Sequence, residues 1–318
     1  MPEIDVLLAS YNGEKYIAEQ IDSILNQTFQ DFRLLIRDDG STDSTPAIIE
    51  EYARKYPGKI EVVHDNKGGG NFCRNFFALL EHARADYVMF CDQDDVWLPR
   101  KLEIMLESMK QTEHENPDKA VLVFCGKDIV DENLQSIDGL SGINIQSERY
   151  SLRQLLIVNC ISGCTEMLNG ELCRKLGGYS EAIDFHDWWV GLCAASVGVI
   201  RQVPEALVKY RQHSNNVVGT GQEIRFRKLK VVWSIIGHPF KKWQHSSRKF
   251  RLQGEKYVLL RERLLNDIPP DRLKVIDNWI AMFGSRRLAR IPAFFRSGYS
   301  DVYMGFEKFM FLLKILFL

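Results

Sequence analysis

Three aspartates crowd the four-residue turn Asp92-Gln93-Asp94-Asp95, directly after the apolar run Tyr87–Cys91. Carboxylates packed so closely raise one another's pKa unless a cation neutralises them. Hard oxygen ligands with room for water and phosphate suit Mg2+ or Mn2+. Acids that only cap a helix ahead of Trp97-Leu98-Pro99 are the bland alternative; three of them in one short turn favour the metal. Two other apolar runs also end in polar clusters: Ser10-Tyr11-Asn12 after Ile4–Ala9, and Asp38 to Asp43 after Phe32–Ile36. The segment Asn66-Lys67-Gly68-Gly69-Gly70-Asn71, with Arg74, lacks the Gly-Lys-Ser/Thr ending of a phosphate-binding P-loop. It either lets backbone approach a nucleotide, with Asn71 or Arg74 nearby, or is a plain turn.

The elements that must position these residues alternate. Ile4–Ala9 reads as a buried strand. Residues 14–27 then form an amphipathic helix through Tyr16, Ile17, Ile21, Ile24 and Leu25. Phe32–Ile36 is a second strand. Thr45 can cap the next helix with Pro46 at its first position. Ile60–Val63 is a third strand, a helix runs through Phe76–Leu80, and Tyr87–Cys91 is a fourth strand. Strand-like runs recur at 120–125, 163–169 and 199–210, with a helix over 187–197. Alternation with short connections predicts a largely parallel α/β sheet. In such a sheet ligands bind at the carboxyl ends of the strands, where the polar clusters fall. No Gly-x-Gly-x-x-Gly follows the first strand, so a dinucleotide site has no fingerprint.

The chain has 318 residues, is 45% hydrophobic and 26% charged, and carries a formal net charge of −1. That excludes a disordered chain, a collagen-like chain and a wholly basic nucleic-acid binder. The balance hides an asymmetry: residues 221–318 hold about 20 Lys and Arg against 8 Asp and Glu, which leaves residues 1–220 strongly acidic. A boundary near residue 220 follows, with residues 221–318 a basic, mainly helical region. Seven cysteines without a Cys-x-x-Cys pair fit reduced structural thiols in a cytoplasmic protein. The amino terminus has acids rather than a basic region before its apolar run, unlike a signal peptide. No stretch reaches the roughly 18–20 apolar residues that span a bilayer.

Taken together, VLLASYNGEKYIAEQIDSILNQT, IRDDGSTDST, FCDQDDVW and FHDWW with YRQHSNNVVG make the sequence resemble a family 2 glycosyltransferase of the GT-A fold over residues 3–219. The DQDD and HDWW wording is similar to bacterial rhamnosyltransferase-like members that build cell-surface polysaccharides. The resemblance implies a Rossmann-like, mostly parallel sheet flanked by helices, with residues 1–220 as the catalytic domain. It implies that Ala9, Ser10 and Tyr11 line the nucleotide pocket, and that Asp39 accepts from the N3–H of a uracil or thymine base beside Asp38. Gln93, Asp95, Asn71 and Arg74 join the donor contacts. Asp92 and Asp94 frame the Mg2+ or Mn2+, met by His213 from a closing loop, and Asp187 matches the catalytic base. The commoner Glu-Asp pair is His-Asp here.

The chemistry agrees with these residue types. A divalent cation stabilises a leaving diphosphate, and a carboxylate accepts the proton of an attacking hydroxyl. One base opposite the leaving group implies single displacement with inversion. The implied donor is a UDP- or dTDP-sugar, rhamnose among the candidates, and the acceptor a saccharide or lipid-linked saccharide. Asp187 as a helix N-terminal acid favoured by the dipole, and His213 as a loop histidine without a metal, stay open. Trp188 and Trp189 either stack on sugar or pack. A nucleotidyltransferase and a catalytically silent saccharide-binding subunit are the rival readings. Residues 306–318, apolar and basic with Phe306, Phe309, Met310, Leu313 and Lys314, suit peripheral contact with an anionic membrane. Packing on the catalytic part, or on a second copy, explains the same pattern. Nucleic-acid binding matches the charge but no motif.

Overall fold

The computed structural model describes residues 1–65, 70–137, 150–213 and 254–284. Its strands are β1 (Ile4–Ser10), β2 (Phe32–Asp38), β3 (Ile60–Val62), β4 (Tyr87–Asp92), β5 (Val96–Trp97), β6 (Val121–Val130), β7 (Glu166–Asn169) and β8 (Val199–Arg211). They form one sheet in the order β3-β2-β1-β4-β7-β6-β8-β5. The pairings β1–β2, β1–β4, β2–β3 and β6–β8 are parallel, while β7 runs against both neighbours and β5 against β8. All strands but β5 and β7 therefore share one direction, and their carboxyl ends share one edge. Because β7 is reversed, its amino end, preceded by a 3-10 turn at Gly163–Thr165, lies at that same edge. The expected strand over 163–169 is this turn followed by β7.

Helices cover both faces. On one side lie α1 (Ile17–Leu25), α2 (Thr45–Lys55) and α4 (Lys101–Glu115), which bury Ile21, Ile49 and Met105 against Val6 and Leu8. On the other lie α3 (Phe72–Leu80), α5 (Leu152–Ile157), α6 (Gly170–Leu176) and α7 (His186–Val197), which bury Phe76, Leu155, Leu172 and Leu192 against Leu7. Successive side chains of a strand point to opposite faces, so β1 feeds both cores. A strand covered on both faces reads as a continuous apolar run, as Tyr87–Cys91 does. The helix expected to be capped by Thr45 instead has Ser44 at its cap, so Pro46 falls one position later. Sequence reading passed over α4, although Leu102, Met105, Leu106 and Met109 have helical spacing and are all buried.

Part of the basic region belongs to this body. Helix α8 (residues 254–264) and helix α9 (Pro270–Gly284) bury Tyr257, Leu260, Ile276 and Trp279 in the core beneath α7. The Tyr257 hydroxyl donates to the Leu156 carbonyl at 2.6 Å, and Arg263 donates to that of Leu176 at 2.7 Å. The boundary near 220 and the segment 306–318 lie outside the described residues. Among those described, no helix is long and apolar enough to cross a membrane.

Candidate active site

The carboxyl edge of the sheet brings together the residues that sequence reading singled out. Register places Ala9 opposite both Arg37 and Asp92, and Ser10 opposite Asp38. The Asp38 loop and the acidic turn are thus two interstrand steps of about 4.8 Å apart. A cavity of about 530 Å³ opens there, and Asp92, Asp94 and Asp187 all line it.

Asp92 and Asp94 face this cavity, whereas Asp95 is fully buried behind them and takes the Arg211 N–H on Oδ1 at 3.1 Å. The Arg211 side chain threads the same turn: Nε donates to the Asp94 carbonyl at 2.8 Å, and the guanidinium also reaches Glu19 and the Glu132 carbonyl. That anchoring delivers His213, two residues on, to Asp94, with Nε2 and Oδ2 2.8 Å apart. The imidazole stacks on Tyr16, ring centroids 4.9 Å apart. Burial, together with the charges of Asp95 and Asp94, pushes the Asp92 carboxyl well above the usual range. Burial and Asp94 likewise push Asp95 up.

Asp187 enters the cavity from the first turn of α7. Its Oδ1 accepts the Trp188 N–H at 2.6 Å and its Oδ2 the Gly163 N–H at 3.3 Å. Burial pushes its pKa up to about 6 against those bonds, a further one from Asn159, and the Lys127 charge. His186 turns inward, wedged against Phe76 with ring centroids 4.0 Å apart, and burial depresses it to about 3. Trp188 and Trp189 are both buried, their indole N–H groups donating to the Leu155 and Leu176 carbonyls. They pack, although an edge of Trp188 reaches the cavity wall.

The expected nucleotide contacts form an adjoining lip. Asp39 lies outside the cavity lining, with Oδ1 on Arg37 at 3.0 Å and Oδ2 accepting the Gly70 N–H at 2.8 Å. Asp38 shapes its own loop: it accepts Ser10 Oγ at 3.0 Å, Ser41 Oγ at 2.5 Å and the backbone N–H groups of Gly40 and Ser41. Gly40 has φ +87°, a left-handed conformation that glycine adopts freely. The Gln93 amide clamps Tyr11 backbone through both its N–H and its carbonyl, each at 2.9 Å, leaving the Tyr11 ring 54% exposed. Asn71 caps α3 by accepting the Cys73 and Arg74 N–H groups and also donates to Tyr179, while Arg74 pairs with Glu181 at 3.0 Å. The segment 66–69 lies outside the described residues.

The acidic turn fits a divalent cation. Asp94 and Asp95 raise the Asp92 pKa and Asp94 raises that of Asp95, and the single Lys127 charge facing them offsets this only in part. Asp92 and Asp94 provide oxygen donors facing the cavity, and His213 sets an imidazole nitrogen against Asp94.

Sequence reading missed Lys127, which faces the carboxylates from this cavity. It donates to Ser162 Oγ at 2.7 Å and stands 3.7 Å above the Tyr210 ring. Two register shifts in the β6–β8 pairing, on either side of Gly126, place extra β8 residues opposite the stretch that carries it. The signal was legible: the apolar run Val121–Cys125 breaks at Gly126-Lys127-Asp128 while the strand continues. Gly163, which supports Asp187, carried no comparable signal.

Known proteins resemble this chain over most of its length. It is 26% identical to an uncharacterised glycosyltransferase of Rickettsia typhi over 240 residues, covering 73% of this chain and 71% of the relative. It is 29% identical to the dTDP-rhamnosyl transferase RfbG of Shigella flexneri, covering 71% and 78%. The fold matches that of S. aureus TarS in complex with UDP-GlcNAc, with TM-score 0.57 at 17% identity, over 99% of this chain and 79% of that one. It also matches the mannosyltransferase PcManGT of Pyrobaculum calidifontis in complex with GDP-Man and Mn2+, with TM-score 0.53 at 15% identity, over 98% and 79%. The family model described as glycosyl transferase family 2 matches residues 5–173, more than half of the chain, and the chain belongs to that family.

Proposed function

We propose that this glycosyltransferase moves a sugar, with rhamnose the first candidate, from a dTDP- or UDP-sugar to a saccharide or lipid-linked saccharide. The anomeric carbon inverts. The observation that carries this reading is the single cavity lined by Asp92, Asp94 and Asp187. A relative named as a dTDP-rhamnosyl transferase supports the choice of sugar.

In this reading Asp39 accepts from the base N3–H, and Ala9, Ser10 and Tyr11 flank the nucleotide. Asp92, Asp94 and His213 would hold Mg2+ or Mn2+, which would supply positive charge to offset that of the leaving diphosphate. Asp187, held in one orientation by the Gly163 and Trp188 N–H groups, takes the proton of the acceptor hydroxyl as it attacks. The apolar walls, Ile157, Ile161 and Phe185 among them, exclude water from that proton transfer. Residues 306–318 would touch the anionic membrane that carries a lipid-linked acceptor; deleting them should release the protein from anionic liposomes.

A panel of nucleotide sugars with Mn2+ tests the function, read as nucleoside diphosphate release. A dTDP-sugar, dTDP-rhamnose first, should be turned over fastest. Release of pyrophosphate instead, or no turnover of any dTDP- or UDP-sugar, would defeat the proposal.

A further inference from the structure

We propose that Arg37 is the positioning residue that sets nucleobase choice, by fixing the Asp39 carboxylate as an acceptor for the N3–H of uracil or thymine. This deepens the proposed function and rests on its reading of Asp39 as the contact to the base. Arg37 is the last residue but one of β2 and points to the face covered by α3, as the apolar Leu35 does two residues earlier. A buried charge is costly unless paired, and an apolar side chain of similar volume would serve packing there as well. What the position uses is therefore the guanidinium.

That group is 3% exposed and directs four N–H groups at three side chains. Nε and Nη2 both donate to Asp65 Oδ1, at 3.0 and 2.7 Å, which anchors the fork just past β3. Nη1 donates to Asp39 Oδ1 and to Asn75 Oδ1, each at 3.0 Å. The Asn75 amide in turn donates to the Ser10 and Arg37 carbonyls, at 3.3 and 3.2 Å, and ties the fork to the carboxyl ends of β1 and β2. Asp39 is held from a second side as well, because its Oδ2 accepts the Gly70 N–H at 2.8 Å.

This arrangement dictates which base fits. A carboxylate oxygen can take two donors, and each Asp39 oxygen holds one, so a lone pair remains for an incoming N–H. The Asp39 side chain is 7% exposed, so one narrow edge of it meets the base. Paired with a guanidinium, that edge accepts and does not donate. Uracil and thymine present N3–H to it, whereas cytosine presents a bare N3 lone pair and leaves the carboxylate unanswered. Lysine keeps the charge but lacks the planar fork that reaches Asp39, Asp65 and Asn75 at once.

Calorimetry of UDP and CDP binding to the full chain, with Mn2+ present, tests the assignment. The ratio of the two affinities within one variant cancels any general loss of folding or of diphosphate binding. The unaltered protein should favour UDP by about tenfold to a hundredfold, the worth of a charge-assisted hydrogen bond. Arg37→Met and Arg37→Lys should bring the two affinities close to equality. Should Arg37→Met not fold, Arg37→Lys carries the test alone. Asp39→Ala should also level them, and Arg37→Lys added to Asp39→Ala should change the ratio no further. If Asp39→Ala levels the affinities while the Arg37 variants keep the preference, or if Arg37→Lys still alters the ratio without Asp39, the assignment of Arg37 is overturned and the base contact stands. Equal affinities in the unaltered protein, or a preference that survives Asp39→Ala, defeat the base contact and this proposal with it.

Discussion

The His213 imidazole lies 2.8 Å from the Asp94 carboxylate, a contact between residues 119 positions apart that closes the acidic turn against the end of β8. It sets a nitrogen and an oxygen donor side by side at the acidic turn. Asp94→Ala is therefore expected to abolish the stimulation of donor binding by Mn2+. His213→Ala should weaken that stimulation by about tenfold to a hundredfold, the usual effect of losing a ligand or its orienting partner. Calorimetry with the nucleotide sugar, with and without Mn2+, checks both. Equal affinities in the two conditions for the unaltered protein would remove the cation from the site.

Asp187 supplies the pH dependence. Burial holds its pKa at about 6, and a general base acts only when deprotonated. The kcat/KM profile should rise with unit slope below about pH 6 and level off above it. Lys127 faces this carboxyl and favours its charged form, so Lys127→Met should move the rising limb to higher pH and Lys127→Arg should largely restore it. Asp187→Asn should keep donor affinity and lose about 10²–10⁴ in turnover. Near-normal turnover in that variant would disqualify Asp187 as the base.

Stability should respond to pH and cation together. Asp92, Asp95 and Asp187 all have folded pKa values above the ordinary carboxylate range, burial being the main cause. Between the ordinary and the raised values the folded chain binds protons that the unfolded chain has released, so stability falls as pH rises through that window. A divalent cation at the acidic turn offsets this loss once the carboxylates are ionised. The rise in Tm caused by Mn2+ should therefore be larger at about pH 8 than at about pH 5. Thermal-shift measurements giving equal increments at both would contradict it.

Much of this was legible in the sequence, for specific reasons. The parallel core is written in apolar runs that end in polar clusters, so β1, β2 and β4 and the carboxyl edge where Ser10, Asp38 and Asp92 meet were all foreseeable. The reversed β7 was not, because strand direction depends on where the chain re-enters the sheet and not on the residues of the strand. The division of labour within Asp92–Asp95 was equally hidden. Only the Arg211 N–H, delivered by β8, shows that Asp95 points into the body while Asp92 and Asp94 face the cavity. Lys127 sits where an apolar run gives way to polar residues inside a continuing strand, a legible break, but the irregular β6–β8 register that decides where it points is set by the partner strand.

Gly163 couples the support of the base to the core. Its N–H donates to Asp187, and a Cβ built on it would collide with His186 Nε2. His186 cannot easily yield, being buried between Phe76 and Phe90 with ring centroids 4.0 and 4.9 Å away. Gly163→Ala must therefore shift the turn or displace the imidazole, costing about 1–3 kcal/mol of stability in the manner of an overpacked core. Turnover should fall with it, because the turn carries the N–H that orients Asp187, while donor affinity should change less. His186→Ala removes the obstacle, so the double variant should lose less stability than the two single losses added together. A thermal-melt cycle over the four proteins measures this coupling, and strictly additive losses would show that the collision is not the cause.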